Sequence, residues 1–517
     1  MRNFPRVTLL VSFGVLLGGG TACTEPEDVV EPVDDEQLGQ TQSQERLSSA
    51  ERRGRDIWFN NTYGGGAFFA FLAQHPDPSK RIRIAFTEVL NTPRADRFAQ
   101  WGLINDPDCE ANPAGGPDVC SDPSATGVVG IRKEPGPAGT TFFGVACASC
   151  HAGFDPNNPP ADPADPNWAN IHPTIGNQHA KFSKIFSHNL AATDVRRFMF
   201  AGWADGAVDT TALFNDNIMN PGVVTAFWDQ KKRRTFDIGT GHEELRNGQG
   251  GEDDAGGNLA SVRVYTNIGV CFAECVAPRP DRPNPGAPID IVQCKRDCAN
   301  YPPDEDLDDM GTFLRSVKAP QYPGHPHQVL TYLRGGLTFA ATCSNCHSVT
   351  GEGRKVYSDD EINPMDAQTT NTCRARSTNW DTGKLWAQFS SDVFKNRGFK
   401  GYRTMPLTGI WSTAPFFHNQ SVGPWATASA APPERAQAYE AAMLEMMSTT
   451  RVPKVNVLPV ALGPTIPAGT PLTYVFSRDP ATGQLLCDDV IENRGHTYGA
   501  ELSASSKAAL IYWLKYQ

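Results

Sequence analysis

A five-residue motif of the form Cys-x-x-Cys-His occurs twice in the sequence and constrains the chain more than any other feature. The first copy contains Cys147, Cys150 and His151, and the second contains Cys343, Cys346 and His347. Two thiols at this spacing can add to the two vinyl groups of one porphyrin, and the adjacent histidine then binds the iron as its proximal ligand. The repeat therefore predicts two covalently bound c-type haems, with His151 and His347 as iron ligands.

A second interpretation treats each Cys-x-x-Cys as a redox dithiol or as half of a zinc site. This interpretation leaves the histidine that follows the second cysteine unexplained in both copies. Covalent haem accounts for both cysteines and the histidine of the motif, so we favour it.

The fold class expected from the sequence is mainly α, with two cytochrome c-like haem modules, long ordered loops and little β structure. The chain has 517 residues, which suits two or more domains. Its 47 glycines and 41 prolines exceed what a dense helical bundle would carry, and they predict the long loops. We expect an N-terminal haem module with a disulfide-bearing insertion at 51–325 and a C-terminal module at 326–517.

The N-terminal residues predict export. Residues 1–22 have two early arginines and a short apolar run, as in a signal peptide, and Cys23 follows as a possible site for a lipid. Residues 23–50 are acidic and polar, which is typical of a flexible tether. We therefore expect a periplasmic, cell-envelope or extracellular protein whose only membrane attachment is a lipid on Cys23.

The remaining cysteines predict four disulfides in an oxidising compartment. Cys109 and Cys120 are close enough in sequence to close a small loop. A helical hairpin would join Cys271 to Cys298 and Cys275 to Cys294, and Cys373 would then bond to Cys487 by elimination. The alternative is that these eight cysteines are reduced structural residues.

Apolar periodicity predicts helices in both modules. A first helix that leads into an aromatic-rich segment is expected within 52–72, with helical periodicity at 182–203 and an amphipathic helix at 307–317. In the second module, helices are expected at 330–339, at 432–447 and from Ser503 or Ser505 to the C-terminus. The proline-rich stretch 155–173 is expected to be irregular and to wrap the edge of the first haem.

Several side chains are candidates for the second axial position of each iron. For the first haem the candidates are His172, His179 and His188, and for the second they are His418, His496, Met443, Met446 and Met447. Aromatic residues around Trp58 and before Cys147 are expected to line an apolar face opposite His151, although the same residues would suit any core.

Two segments carry a family resemblance. Residues 406–421 read PLTGIWSTAPFFHNQS and resemble the segment after the second haem in bacterial di-haem cytochrome c peroxidases. Residues 493–499 read NRGHTYG and resemble the rubber oxygenase A branch of that superfamily. The resemblance implies that His151 is proximal at a reactive iron that is open or openable, and that the His347 haem is its six-coordinate partner.

The same resemblance implies that His496 is the distal ligand of the second iron. The peroxidases place a methionine a short distance beyond this segment, whereas here Pro432 and Pro433 occupy that distance. His418 is then a cofactor-binding residue beside the haem or between the haems. Trp228 is the candidate for an aromatic relay between the two haems, and the simpler interpretation is a core tryptophan.

The leading hypothesis is an exported di-haem oxidoreductase that activates peroxide or dioxygen at the His151 haem, with the second haem as its electron-transfer partner. A small electron-donor protein would be a natural partner. The alternatives are a pure electron-transfer cytochrome without a substrate site and a lipoprotein that senses gases through haem. The formal charge of −11 and the lack of a basic stripe argue against nucleic acid.

Overall fold

The computed structural model describes residues 47–75, 78–209, 218–219, 221–226, 228, 297–298, 303–344, 346–347, 362–364, 370–374, 401–403, 407–479 and 481–517. The expected signal peptide, Cys23 and most of the expected tether lie outside these residues. So do Cys271, Cys275 and Cys294 of the expected disulfide hairpin.

The first half of the chain contains short helices and paired strands around the first motif. Its helices are α1 (Ser49–Asn60), α2 (Gly66–Ala73), α3 (Phe86–Asn91), α4 (Arg94–Trp101), α5 (Ala148–His151), α6 (Phe182–Ser187), α7 (Arg196–Ala201) and α8 (Asp304–Ser316). Its strands are β1 (Cys109–Glu110), β2 (Val119–Cys120), β3 (Ile131–Pro135), β4 (Thr141–Val145), β5 (Gly153–Phe154), β6 (Ile171–His172), β7 (Ala207–Val208) and β8 (Gly222–Val223).

The described part of the second half contains three helices of more than ten residues and one short helix. Its helices are α9 (Val329–Thr342), α10 (Pro432–Met446), α11 (Leu472–Phe476) and α12 (Ala504–Leu514), and its strands are β9 (Ile362–Pro364) and β10 (Gly401–Arg403). Single 3-10 turns lie at Pro78–Lys80, Pro137–Gly139, Trp168–Asn170 and Ile410–Ser412.

Helices dominate, and the described strands form only two-stranded antiparallel pairs. The longest pair joins β3 to β4 in the register Ile131 to Val145 and leads directly into the first motif. The expectation of a mainly α fold with little β structure is confirmed for the described residues. The stretch 155–173 is largely irregular, as expected, but β6 near its end pairs with β5 just before it, Gly153 with His172.

A pair of packed helices lies beside the first motif. Helix α1 packs along α8, although the two are separated by more than half of the chain's first module. A side chain at Gly54 of α1 would overlap the backbone of Asp309 and Met310, so the close approach requires glycine. Arg53 donates to both carboxylate oxygens of Asp309 across the same contact, at 2.6 and 3.1 Å.

A second pair lies beside the second motif and repeats this arrangement. Helix α9 ends where the motif begins and packs along the C-terminal helix α12, as the sequence predicted for its first and last helices. Here Gly335 allows the approach, because a Cβ atom there would overlap the carbonyl oxygen of Ala509 and the side chain of Trp513. Ser503 caps α12, since its hydroxyl accepts from the backbone N–H of Ser506 at 3.2 Å.

Apolar residues group around each motif. One buried cluster contains Trp58, Phe313 and Leu314 and reaches Cys147, whereas Cys150 packs against a second cluster that contains Phe68 and Trp203. The second motif adjoins a third cluster with Phe339 and Tyr439, against which Cys343 packs. The first motif therefore lies between two apolar cores, and the second borders one.

Two of the predicted disulfides are confirmed. Cys109 bonds to Cys120 across the β1–β2 pair, and Cys373 bonds to Cys487 over a sequence separation of 114 residues. Cys298 is also disulfide-bonded. The cysteines that were expected to partner Cys298 and to close the rest of the hairpin lie outside the described residues.

The first helix expected within 52–72 is confirmed by α1. A turn at residues 61–65 separates it from α2, which carries the aromatic residues, because Asn61, Tyr63 and Gly64 take conformations that a helix does not allow. The pattern at 182–203 also forms two short helices, α6 and α7. Asp194 interrupts it, since its carboxylate accepts from the backbone N–H of Arg196 at 2.9 Å and starts a new helix.

The predictions at 307–317, 330–339 and 432–447 are confirmed by α8, α9 and α10. Pro432 and Pro433 occupy the first turn of α10, where a missing backbone N–H costs nothing. In the described part of the chain, no helix is long and apolar enough to cross a bilayer.

Candidate haem-binding sites

The two motifs share one backbone hydrogen bond of the kind that closes a helical turn. The backbone N–H of His151 donates to the carbonyl of Cys147 at 3.0 Å, and that of His347 donates to the carbonyl of Cys343 at the same distance. One turn of helix brings the two cysteines and the histidine to neighbouring positions on one side. This is the local geometry that attachment of one porphyrin by two thioethers and one imidazole requires.

The histidine of the first motif is oriented through its ring. Its Nδ1 atom lies 3.1 Å from the carbonyl oxygen of Thr225, which can only accept, so Nδ1 carries the proton and Nε2 keeps a lone pair for a metal. The indole of Trp58 packs on the imidazole with ring centroids 5.5 Å apart, and its N–H donates to the carbonyl of Pro173 at 2.9 Å.

The position of Trp58 corrects one expectation. Trp58 was expected on the face opposite His151, but it contacts the His151 ring itself and therefore lies on the His151 side. The reason is the packing of α1 along α8, which turns Trp58 into the core cluster under the motif. Phe143, which precedes the motif, instead packs with Phe68 and Phe86 in the neighbouring cluster.

The motif thiols do not have the character of a catalytic dithiol. Burial raises the pKa of Cys147 to about 12 and that of Cys343 to about 11. A nucleophilic Cys-x-x-Cys works through a lowered thiol pKa, whereas the pKa values of these two thiols are raised. Within the described residues, no group of three or more His, Cys, Asp or Glu side chains is arranged to hold a bare metal ion.

Three histidines are candidates for the position opposite His151 at the first site, and their surroundings differ. His172 is buried with both ring nitrogens engaged, because Nδ1 accepts from Thr174 N at 3.2 Å and Nε2 lies 3.4 Å from the carbonyl of Lys318. His188 is exposed and packs against Trp101. His179 is half-buried against Phe98, and burial lowers its pKa to about 4.

The second site has a histidine facing the motif histidine. The rings of His347 and His496 have centroids 6.1 Å apart and planes inclined at 65°. Two imidazoles bound on opposite sides of one metal, with bonds of about 2 Å, hold their centroids roughly 6 Å apart. The Nδ1 atom of His496 is buried without a hydrogen-bond partner. These residues fit a six-coordinate haem.

A partly buried arginine orients the loop that carries His496. Arg451 donates through Nη1 to the carbonyl of Asn493 at 2.7 Å and through Nη2 to the carbonyl of Gly495. His496 itself has a φ of 47°, a left-handed conformation that is uncommon for a residue with a side chain. No local pattern indicates this role of Arg451, because it lies 45 residues from His496 in the sequence.

The other candidates for the second site have different surroundings. Met443 and Met447 are buried in the core cluster around Trp411, and Met446 packs against that cluster, as core methionines do. His418 is buried, and burial together with the nearby Arg374 lowers its pKa to about 3. Its carbonyl accepts from Val223 N at 2.5 Å, so it connects the two halves of the chain.

Trp228 is buried between segments that follow the two motifs. Its indole N–H donates to the carbonyl of Thr408 at 3.2 Å, and its ring meets that of His172 edge-on at 5.7 Å. It packs with Ile175 and Ala319. The position at the boundary between the halves suits both interpretations made from the sequence, a relay and a core tryptophan.

One polar contact within the second half was missed from the sequence. Asn419 donates to the side chain of Glu492 at 2.7 Å and to its carbonyl at 3.1 Å. Burial raises the pKa of Glu492 to about 7. The two residues are 73 positions apart, so no local pattern could have indicated the contact.

A mainly helical chain with two such motif turns, each beside a pair of packed helices, has the features of a c-type cytochrome. Comparison with protein families agrees with this class. Residues 401–440 match the family described as RoxA-like, cytochrome c-like. The match covers the segment around His418 and the start of α10, and it confirms the resemblance to the RoxA-like branch. No curated protein matches the chain in sequence.

Proposed function

We propose that the protein is an exported di-haem c-type cytochrome that activates peroxide or dioxygen at the haem held by Cys147, Cys150 and His151. The haem held by Cys343, Cys346 and His347 would exchange electrons with it. When bound, a haem with an open position supplies an iron that can take up peroxide or dioxygen, whereas a haem with two protein ligands transfers electrons only.

The observation that carries this proposal is the difference between the two sites. His347 has an imidazole opposite it, at the spacing that one metal requires. Among the candidates at the first site, His172 is engaged through both ring nitrogens, His188 is at the surface and His179 packs against Phe98. One closed and one open haem is the arrangement that an oxidoreductase of this kind needs.

The residues around His151 would tune the reactive site. The Thr225 carbonyl fixes the ring orientation and increases the basicity of the ligand nitrogen, as partners of ligand histidines do. Trp58 and its apolar cluster exclude water from the His151 side. His496 and Arg451 would hold the second site closed, so that this haem serves as a reservoir of electrons.

Optical and electron paramagnetic resonance spectra of the purified ferric protein test this proposal. We expect two covalent haems by intact mass, one high-spin and one low-spin. Stopped-flow mixing with peroxide, and of the reduced protein with dioxygen, should then change the high-spin haem first. Two low-spin haems that react with neither oxidant would instead support a pure electron-transfer cytochrome, and a mass without haem would refute both functions.

A further inference from the structure

Arg435 occupies a buried position at the boundary between the two halves of the chain. It lies in the first turn of α10, and only 4% of the residue is exposed. Further along, α10 belongs to the second half, because the Tyr439 hydroxyl donates to the carbonyl of Ile511 at 3.0 Å. Just before the helix, Ala428 packs in the same cluster as Ala148 and Ala152 of the first motif. Arg435 therefore extends from the second half toward the first haem site.

Two nitrogen atoms of the Arg435 guanidinium lack hydrogen-bond partners. Its Nε and Nη2 atoms are buried and donate to no atom of the described residues. Burial lowers its pKa to about 10, so the group remains a cation at neutral pH. Burying a cation without a partner is strongly unfavourable for folding. Such residues are therefore rare unless a counter-charge is present.

Arg97 shows how the same chain satisfies a buried arginine. Arg97 has no exposed surface, and its Nη1 and Nη2 atoms donate to the two carboxylate oxygens of Asp118 at 2.9 Å each. Its Nε donates to the carbonyl of Val89 at 3.3 Å. Arg435 is buried to a similar degree, but no carboxylate among the described residues accepts from its buried nitrogens. The comparison indicates that a planar anion completes the Arg435 site.

The charges near Arg435 belong to the first haem site. Burial lowers the pKa of Arg435, and the charge of Asp155 raises it by a smaller amount. The pKa of His179 is lowered mainly by burial and further by the charges of Arg435 and Lys181. Asp155 is itself engaged, since its carboxylate accepts from Asn157 N at 2.8 Å. Asp155 and His179 both follow the first motif in sequence, which places the unsatisfied cation beside that haem's binding region.

We propose that Arg435 binds a propionate carboxylate of the haem attached at Cys147 and Cys150. A haem carries two carboxylates, and the guanidinium fork is matched to a carboxylate through two parallel hydrogen bonds. The proposal rests on the proposed function, because it requires a haem at the first motif. It assigns to α10 a direct contact from the second half of the chain to the cofactor of the first half.

The consequence is electrostatic. Ferric haem carries one more positive charge than ferrous haem, so a fixed cation beside it disfavours the ferric form and raises the reduction potential. Arg435 would also keep the propionate ionised near neutral pH. Asp155, His179 and Lys181 are the other titratable groups at this position, and they remain in every variant below.

The test is spectroelectrochemical titration of the intact protein with its haems, from acidic to mildly alkaline pH. Arg435→Met should lower the equilibrium constant for reduction of the high-spin haem about tenfold, or about 59 mV for one electron. It should also make that potential depend on pH near neutrality, because the propionate now takes up a proton on reduction. Arg435→Lys should keep most of the potential, since it retains the charge.

Arg83→Met is the matched control, because it removes the same charge from an exposed side chain in the first half. It should leave both potentials unchanged. The proposal is overturned if Arg435→Met retains two haems by mass and has the wild-type potential at every pH. A wild-type protein without haem at the first motif would refute the proposed function instead.

An external anion is the other source of a carboxylate. Added formate or chloride should not change the wild-type potential if the haem propionate occupies the site. An anion-dependent potential that Arg435→Met abolishes would overturn the haem assignment. If Arg435→Met does not fold, redox-induced infrared difference spectra of the wild type decide: a protonated propionate band near neutral pH contradicts the proposal, and its absence supports it.

Discussion

The imidazoles of His347 and His496 face each other with ring centroids 6.1 Å apart. The two residues are distant in sequence, and the relationship depends on the loop that Arg451 holds through the carbonyls of Asn493 and Gly495. The spacing matches that of two imidazoles bound to one metal. If His496 is a ligand, a loop held in this position would lower the ordering cost of closing the second site.

His496→Ala is expected to convert one low-spin haem to high spin and to leave the other haem unchanged, because it removes the second axial ligand. Electron paramagnetic resonance of the ferric protein measures this. His418→Ala is the matched comparison, since His418 is the other buried histidine near this site. If His418→Ala produces the conversion and His496→Ala does not, the ligand assignment is wrong.

Gly335→Ala is expected to destabilise the second half by about 1–3 kcal/mol, the usual cost of overpacking a tight contact. The new methyl group would overlap the Ala509 carbonyl and push α9 from α12. Gly336→Ala is the control in the same helix. Its Cβ would approach only the Trp513 side chain, at 3.1 Å, so the gain in helix propensity of up to about 1 kcal/mol offsets the strain.

Thermal unfolding followed by the Soret band measures both glycine variants. Equal stability of the two variants would contradict the close approach of α9 and α12. The equivalent substitution Gly54→Ala should act on the first helix pair in the same direction, because the new Cβ would overlap the backbone of Asp309.

Features that depend on local spacing were predictable from the sequence. The motif turns follow from residues within five positions, and α8, α9, α10 and α12 follow from apolar periodicity and capping. The disulfide of Cys373 with Cys487 was also predicted, because counting left only these two cysteines.

Features that depend on distant packing were not predictable. Trp58 lies on the His151 side because α1 packs along α8, which no local pattern encodes. Arg435 resembles any charged residue in the first turn of a helix, and only the fold shows that it is buried. The contact of Asn419 with Glu492 joins segments that are separate in sequence for the same reason.

Glu492→Gln is expected to change the pH dependence of stability. The folded-state pKa of Glu492 is raised from 4.5 to about 7, so the folded protein binds this proton more tightly than the unfolded chain. Its contribution to stability is therefore full below about 4.5 and is lost as pH rises toward 7. At one pKa unit per 1.36 kcal/mol, the loss is at most about 3 kcal/mol.

The glutamine variant should lack this decline and should be more stable than the wild type above pH 7, while the two proteins converge at low pH. Denaturant unfolding at several pH values measures the difference, which cancels the effects of other titrating groups. Glu501→Gln removes an exposed carboxylate and serves as the control. A constant difference between wild type and Glu492→Gln across this range would contradict the burial argument.

Trp228→Phe is expected to slow electron transfer between the haems about tenfold, equivalent to about 1.4 kcal/mol in activation free energy. The indole lies at the boundary between the halves, donates to Thr408 and contacts His172. Phenylalanine fills much of the space but is far harder to oxidise and cannot donate. Stopped-flow reduction by a one-electron donor, followed separately at the low-spin and high-spin bands, measures the rate.

Trp203→Phe is the matched control for that experiment. Trp203 is equally buried, with 4% of its surface exposed, but it packs in the apolar cluster of Phe186 and Phe200, and its indole N–H has no partner. If Trp228 acts as a relay, only Trp228→Phe slows the transfer while both variants keep wild-type haem spectra. Equal electron-transfer rates in the two variants would show that Trp228 is a packing residue. Loss of its indole would then affect stability alone, as loss of the Trp203 indole does.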